Sequence, residues 1–236
     1  IIAFVIGYRR FTNGERGKGT TVLMRYTLRL LTLQQFQRAT MLICALEAIR
    51  KDSFSIPNSY SLGVSRITIG LFVGSGSLPN QWKGTGNSND TSMEKELEKI
   101  SACIEGGKKV STNIPFTECP WCGSDLFIDK ELSNVSHTSK PSRNNYGIND
   151  QLNICCNNSS CTFKGMGRNR PSNEFSLPLR LFDEDIYKYP PTLLFGTVDK
   201  FAALANNVST NTSERNKDSR RLFGKGYNHD TLPPRS

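Results

Sequence analysis

The run Val22-Leu23-Met24-Arg25-Tyr26-Thr27-Leu28-Arg29-Leu30-Leu31-Thr32-Leu33-Gln34-Gln35 changes its hydrophobic period midway. Its first part, preceded by Thr20-Thr21, is β-branched and aromatic at its ends, as a strand requires. Its second part has Thr32 three residues before Gln35, the form of a capping box, and the apolar positions Leu33, Phe36, Met41, Ile43, Leu46 and Ile49 carry a helical spacing on to Arg50. The unit is therefore strand, turn, helix. Working outward, residues 66–73 form a second strand, apolar on both faces as a sheet covered by helices demands, and Gly74-Ser75-Gly76 ends it. Residues 191–195 form a third strand, which runs through Gly196-Thr197 into a helix starting near Asp199 and carrying Phe201, Ala202 and Leu204. Upstream, residues 1–10 read as a helix end, with Arg9 and Arg10 where a helix C-terminus favours cations and Asn13-Gly14 as the stop. Residues 93–103 read as a short charged helix with Glu94, Lys95, Glu98 and Lys99 on its wet side. Strands alternating with helices predict an α/β fold built on a doubly wound parallel sheet.

Only 36% of the 236 residues are hydrophobic, so the core is built from few segments and loops take up much of the length. Lysine and arginine outnumber aspartate and glutamate by 30 to 21, a net charge of +9 that suits a polyanion-binding surface and equally an ordinary solubilising one. No uninterrupted apolar run approaches the roughly 18 to 20 residues that span a bilayer, which argues against a membrane partner. The apolar opening without an initiator methionine and the Leu232-Pro233-Pro234-Arg235-Ser236 ending predict an interior piece of a longer chain. Asn-x-Ser/Thr triplets such as those at Asn134, Asn207 and Asn211 are chance products of an Asn- and Ser-rich composition.

Seven cysteines stand at 44, 103, 119, 122, 155, 156 and 161. Cys119-Pro120-Trp121-Cys122-Gly123 has the form of a zinc knuckle: two thiolates at a tight turn, with a glycine that lets the backbone fold beneath the ion. Cys155-Cys156 and Cys161 supply a second pair. Four residues between Cys156 and Cys161 make a usable loop, and Phe163 repeats the apolar position that Leu126 holds after the first knuckle, which favours Cys156 and leaves Cys155 as the alternative ligand. A closed set of Cys119, Cys122, Cys156 and Cys161 has no open coordination position, so its task would be structural and its metal Zn2+. Two disulfides would need an oxidising compartment, and a redox C-x-x-C would need a thioredoxin-like setting that the flanking sequence lacks. Cys44 and Cys103 read as ordinary helix residues, His137 as a surface residue of a loose segment at 130–150, and residues 206–230 receive no structure.

Residues 22–35 resemble helicase motif Ia, a strand followed by Leu and Gln on the next helix, with Tyr26 in place of the usual proline. Leu193-Leu194-Phe195-Gly196-Thr197-Val198-Asp199-Lys200-Phe201 resembles motif Ib, with Val198 and Asp199 substituted and Lys200 keeping the cation; Val73-Gly74-Ser75-Gly76 sits where that superfamily has its glycine turn. The strings at 24–32, 69–74 followed by Pro79-Asn80, 119–123, and 182–187 before 191–202 resemble the helicase-like component of the bacterial DISARM anti-phage system, over nearly the whole chain. That resemblance implies a superfamily 2 helicase: residues 1–110 as the first part of a RecA-like motor domain, 111–170 as a zinc-ribbon insertion, 171–205 as its continuation and 206–236 as a flexible segment leading to a missing Asp-Glu strand. It implies DNA as substrate, ATP and Mg2+ used by the intact parent, and a methyltransferase among other DISARM components as partners. DNA-backbone contacts would come from Thr27, Arg29, Thr197 and Lys200, because turns at the carboxyl edge of a parallel sheet bring hydroxyls and helix N-termini to phosphates.

Gly14-Glu15-Arg16-Gly17-Lys18-Gly19-Thr20 lacks the order of a phosphate-binding loop and precedes no helix. Asp183-Glu184-Asp185 follows no clean strand and reads as a charged loop, not a magnesium box. The chain would then hold no catalytic residue of its own, the phosphate loop lying before Ile1 and the Asp-Glu box after Ser236. Two rivals remain: a non-enzymatic zinc-ribbon module that binds nucleic acid, and a protein-interaction domain with no nucleic-acid role.

Overall fold

The computed structural model describes residues 1–52, 61–74, 76–84, 91–137, 152–164, 175–206 and 222, without the side chains at 29, 136, 137 and 203–206. In chain order the elements are α1 (Ile2–Asn13), a 3-10 turn (Gly14–Gly17), β1 (Val22–Tyr26), α2 (Arg29–Asp52), β2 (Ile69–Phe72) and α3 (Met93–Glu105). They continue with β3 (Val135–His137), β4 (Leu152–Ile154), β5 (Leu179–Arg180), α4 (Asp183–Lys188), β6 (Leu193–Thr197) and α5 (Val198–Asn206).

Four strands form one sheet in the order β1-β6-β2-β5, and each neighbouring pair is parallel. The last strand thus enters between the first two, and α2 must cross over one strand position to connect β1 with β2. β6 is buried at every residue because both faces are covered. Leu193 and Phe195 join the large core, whereas Leu194 joins a second cluster with Phe72, Ile186 and Leu222. β1, at the edge, alternates half-buried and exposed positions, with Leu23 and Arg25 turned to solvent. Gly196 is required by close packing: a Cβ there would stand 2.6 Å from the Phe201 ring and 2.9 Å from the Phe72 carbonyl oxygen.

The strand-turn-helix reading holds, with one correction at the helix start. α2 begins a turn earlier than a Thr32 cap would allow, and Thr32 lies inside it, its hydroxyl donating back to the Leu28 carbonyl at 2.9 Å. The buried stripe of α2 is also more polar than the apolar spacing predicts. Met41 and Ile49 are exposed, while Phe36, Thr40, Ile43, Cys44, Leu46, Glu47 and Arg50 are buried.

An ionic network makes that burial tolerable. Glu47 takes Arg50 Nε at 2.7 Å and Nη2 at 2.8 Å, the Ile67 amide at 2.9 Å, and lies 3.5 Å from Arg66 Nε. Arg50 Nη1 donates to the carbonyl of Val64, and the two Nη groups of Arg10 donate to the carbonyls of Ser65 and Arg66. A buried carboxylate persists only when its charge and lone pairs are matched in this way. The network pins the segment that feeds β2, so Arg10 is a buried clamp and not the solvated helix-end cation its position suggests; burial lowers its pKa.

α3 starts at Ser92, whose hydroxyl accepts the Lys95 amide at 3.3 Å. Its one buried carboxylate, Glu96, accepts from the Thr112 hydroxyl at 2.7 Å and the Asn113 amide at 2.5 Å, and so aims the chain into the cysteine-bearing segment. That segment shares a core with the sheet. Ile114, Phe116, Leu126, Phe127, Ile154 and Phe163 belong to the same buried cluster as Phe36, Ile69 and Phe195. Phe116 lies 5.8 Å from Phe36 on α2, and the Leu177 amide donates to the Ile154 carbonyl at 2.8 Å.

Three further expectations change. Within the segment expected to be loose, residues 135–137 form β3, which pairs antiparallel with β4 beyond that segment and places His137 on a strand; residues 138–150 lie outside the described residues. Asp183-Glu184-Asp185 opens α4 and is not a loop, and a short strand, β5, does precede it. Asp183 and Asp185 are buried because Lys200 and Arg180 meet them. In the stretch after α5, Leu222 is buried against Phe72 and Leu194, while residues 207–221 and 223–236 lie outside the described residues. No described helix is long and apolar enough to cross a membrane.

Candidate functional site

Two places in the molecule gather chemistry. The first is a cluster of four cysteines. The Cys119 amide donates to Ser124 at 2.7 Å and the Gly123 amide to Cys119 at 2.9 Å, closing a turn in which Gly123 takes φ 76°, a conformation that favours glycine. The second turn repeats the scheme: the Cys156 amide donates to Phe163 at 2.9 Å, and the amides of Asn158 and Phe163 donate to the sulfurs of Cys156 and Cys161 at 3.4 Å. Leu126 and Phe163, the apolar residues after the two turns, are fully buried beneath them. Asn157 ties one half to the other, its side-chain amide donating to the carbonyls of Asp125 and Leu126.

The result is that Cys119, Cys122, Cys156 and Cys161 bring their sulfurs within 4.8 Å of one another, with 3.4 Å between Cys122 and Cys156 and 4.0 Å between Cys119 and Cys161. A tetrahedral ion bonded to four sulfurs at about 2.3 Å sets them about 3.8 Å apart, inside that spread. The donor set and the spacing fit a metal ion such as zinc. Cys155 is outside the cluster and buried, and its amide donates to the Asn134 carbonyl. Burial pushes the Cys161 thiol up to about 11 and raises Cys156 as well. Cys122, the exposed member, is lowered to about 6: burial works against ionisation, and hydrogen bonds from Ser124 and the other cysteines outweigh it. Four adjacent sulfurs of this kind become thiolates together only when a cation shares their charge. Cys44, read as an ordinary helix residue, is fully buried on α2, its thiol raised first by burial and then by its proximity to Cys119 and Cys161.

The second place is the carboxyl rim of the sheet. Register sets it: Tyr26 pairs with Thr197, and Phe72 with Gly196, so the turns after β1, β6 and β2 leave the sheet side by side. Thr27 is exposed there, Thr197 is buried at the end of β6, and Arg29 opens α2 with its side chain outside the described ones. Lys200 stands on the first turn of α5, but its ammonium is engaged: 2.6 Å from Asp183 Oδ2, 2.9 Å from Asn80 Oδ1, and 5.1 Å above the Phe72 ring. Burial raises Asp183 to about 6, against the pull of Lys200, so the pair is held in a poorly solvated setting. Sequence reading missed Asp183 and Asn80 as neighbours of Lys200. The signal that was present, an acidic triplet before an apolar strand, gives no hint of a partner on a helix beyond that strand.

The fold and the cysteine cluster together define an α/β protein with a parallel four-stranded sheet and, fused to its core, a four-cysteine ribbon that could hold a metal ion. No family model matches the chain. Its sequence is similar to that of DISARM protein DrmA of Bacillus paralicheniformis, to which it is 33% identical over 210 residues, a match that covers 86% of this chain. The same match spans 16% of the length of that relative.

Proposed function

We infer that this chain is part of an ATP-dependent, helicase-like DNA translocase acting in phage defence, within whose RecA-like first motor domain it supplies DNA-backbone contacts and a structural zinc. ATP and Mg2+ would be used by the intact parent, other DISARM components would be its partners, and its setting would be the cytoplasm. The observation that carries this reading is the side-by-side exit of β1 and β6, with Tyr26 paired to Thr197. Such a rim offers hydroxyls and the N-termini of α2 and α5 to one phosphate chain. The net charge of +9 and the similarity to DISARM protein DrmA support it. Thr27 and Arg29 are the direct contacts in this scheme. Lys200, already bound to Asp183, sets the N-terminus of α5 and reaches a phosphate only by exchanging that carboxylate for it. The rival reading, in which the ribbon itself holds nucleic acid, is less well supported, since the first knuckle carries exposed Glu118 and Asp125, which repel phosphate.

Fluorescence anisotropy with labelled duplex and single-stranded DNA at two salt concentrations tests the proposal. Salt-dependent binding is expected, with Thr27→Ala and Arg29→Ala together weakening it several-fold and lowering the salt slope by about 1 for each phosphate that is no longer neutralised. Binding that ignores both substitutions, or that is absent at low salt, overturns it.

A further inference from the structure

A groove of about 390 Å³ lies between α3 and the turn that leads into β3, and its lining includes none of the four clustered cysteines and none of Thr27, Arg29, Thr197 and Lys200. One wall is a single stripe of α3: Glu94, Leu97, Glu98 and Ser101 follow one another at helical spacing. The facing wall is Glu131, Leu132 and Val135, with Trp82 at the end. The floor is therefore apolar and the lip acidic. Glu94, Glu98 and Glu131 are exposed and make no ion pair with a described residue, while the groove's lysine, Lys130, is engaged with Glu105 at 3.4 Å. Between residues 91 and 135 eight carboxylate side chains stand against five lysines, a local excess of negative charge in a chain that carries +9 overall.

We propose that this groove docks a basic, apolar-containing peptide segment of a partner protein, cationic side chains meeting Glu94, Glu98 and Glu131 while an apolar one enters between Leu97, Leu132 and Trp82. The chemistry excludes the other occupants in turn. A nucleic acid would bring phosphates to three carboxylates, and an acidic peptide would do the same. A bare cation has no use for an apolar floor, and among the described residues the cysteines are the group placed to hold a metal. The stripe from Glu94 to Ser101 is about 10 Å long at 1.5 Å per residue, the reach of about three residues of extended peptide. That length suits an alternation of cationic, apolar and cationic side chains. The site is independent of the DNA-binding reading, because it is lined by other residues and selects the opposite charge.

The test uses the full chain and no DNA. The probe is a fluorescein-labelled six-residue peptide alternating arginine and leucine, titrated by anisotropy against wild type, against Glu94→Gln/Glu98→Gln/Glu131→Gln, and against Asp52→Asn/Glu118→Gln/Asp125→Asn, which removes the same charge elsewhere. The groove variant should bind at least about tenfold more weakly and the control less than about twofold, because charge pairs at a defined site, unlike net charge, are removed only there. A peptide alternating arginine and glycine should bind wild type more weakly than the leucine version. Equal losses in the two variants, equal affinity for the two peptides, or no binding to wild type would each overturn the proposal.

Discussion

The cysteine ribbon and the sheet rim both gather distant residues, but they do it by different means. In the ribbon each half is local: Cys119 and Cys122 are brought together by one turn, Cys156 and Cys161 by another, and the two halves are mutually locked by Asn157 and by shared apolar ground at Leu126 and Phe163. At the rim nothing local decides. Thr27 and Thr197 meet because β6 enters the sheet beside β1, more than 160 residues later in the chain. A metal site of the first kind tolerates change in its surroundings and fails when a ligand is removed. A surface of the second kind survives the removal of any one of its side chains and fails when strand order is disturbed.

The largest expected effect attacks that contrast at the ribbon. Cys119→Ser should abolish binding of a zinc ion, measured by metal analysis of the purified chain, and cost more than about 4 kcal/mol of stability in denaturant unfolding. Because Cys119, Phe163, Phe36 and Phe195 lie in one buried cluster, sheet and ribbon should melt together. Two well-separated transitions would show instead that the ribbon is a detachable satellite.

A smaller effect is expected at the segment that feeds β2, where Glu47 holds Arg50 and Arg66. Glu47→Gln leaves two buried guanidinium groups without their carboxylate and should destabilise the fold by roughly 3 kcal/mol, with metal content unchanged. Burial already lowers Arg66 to about 10, the sign that its charge is retained at a cost that Glu47 offsets. Equal stability in wild type and variant would mean that the network is ornamental to the sheet.

The smallest effect is a pH dependence at the rim. Asp183 has its folded pKa raised to about 6, mainly by burial, above the ordinary carboxylate value. Between about pH 4 and 6 the folded state therefore holds a proton that the unfolded state has released, and stability from this group falls as pH rises through that window. Measured against Asp183→Asn, the wild type should lose relative stability from pH 4 to 6 and hold level above it. A difference that grows with pH would mean that Lys200, and not burial, governs the carboxylate.

Much of the sheet was legible because its strands are short, largely apolar and closed by glycine or helix signals, and the helix after β1 was legible by its period. Thr32 looks like a cap and is a back-bonding residue within α2, Met41 and Ile49 look like core and face solvent, and the Asp183 triplet looks like a loop and opens a helix. Thr32 is decided within its own turn, by the Leu28 carbonyl, whereas the polar stripe of α2 and the Asp183 triplet depend on partners from other elements, Glu47 meeting Arg66 and Asp183 meeting Lys200. After α5 the sequence offers no pattern, and the burial of Leu222 against Phe72 and Leu194 on the second face of the sheet was not foreseen.

By itself the sequence determined most of the elements and the two cysteine knuckles, because periodicity, turn chemistry and cysteine spacing are local properties that a chain carries unfolded. The tertiary structure decided the strand order, the fusion of ribbon and sheet into one core, the gathering of Cys156 while Cys155 stays apart, and the engagement of Lys200. Those depend on which buried surfaces and charges find one another across the chain, and local spacing does not encode that choice.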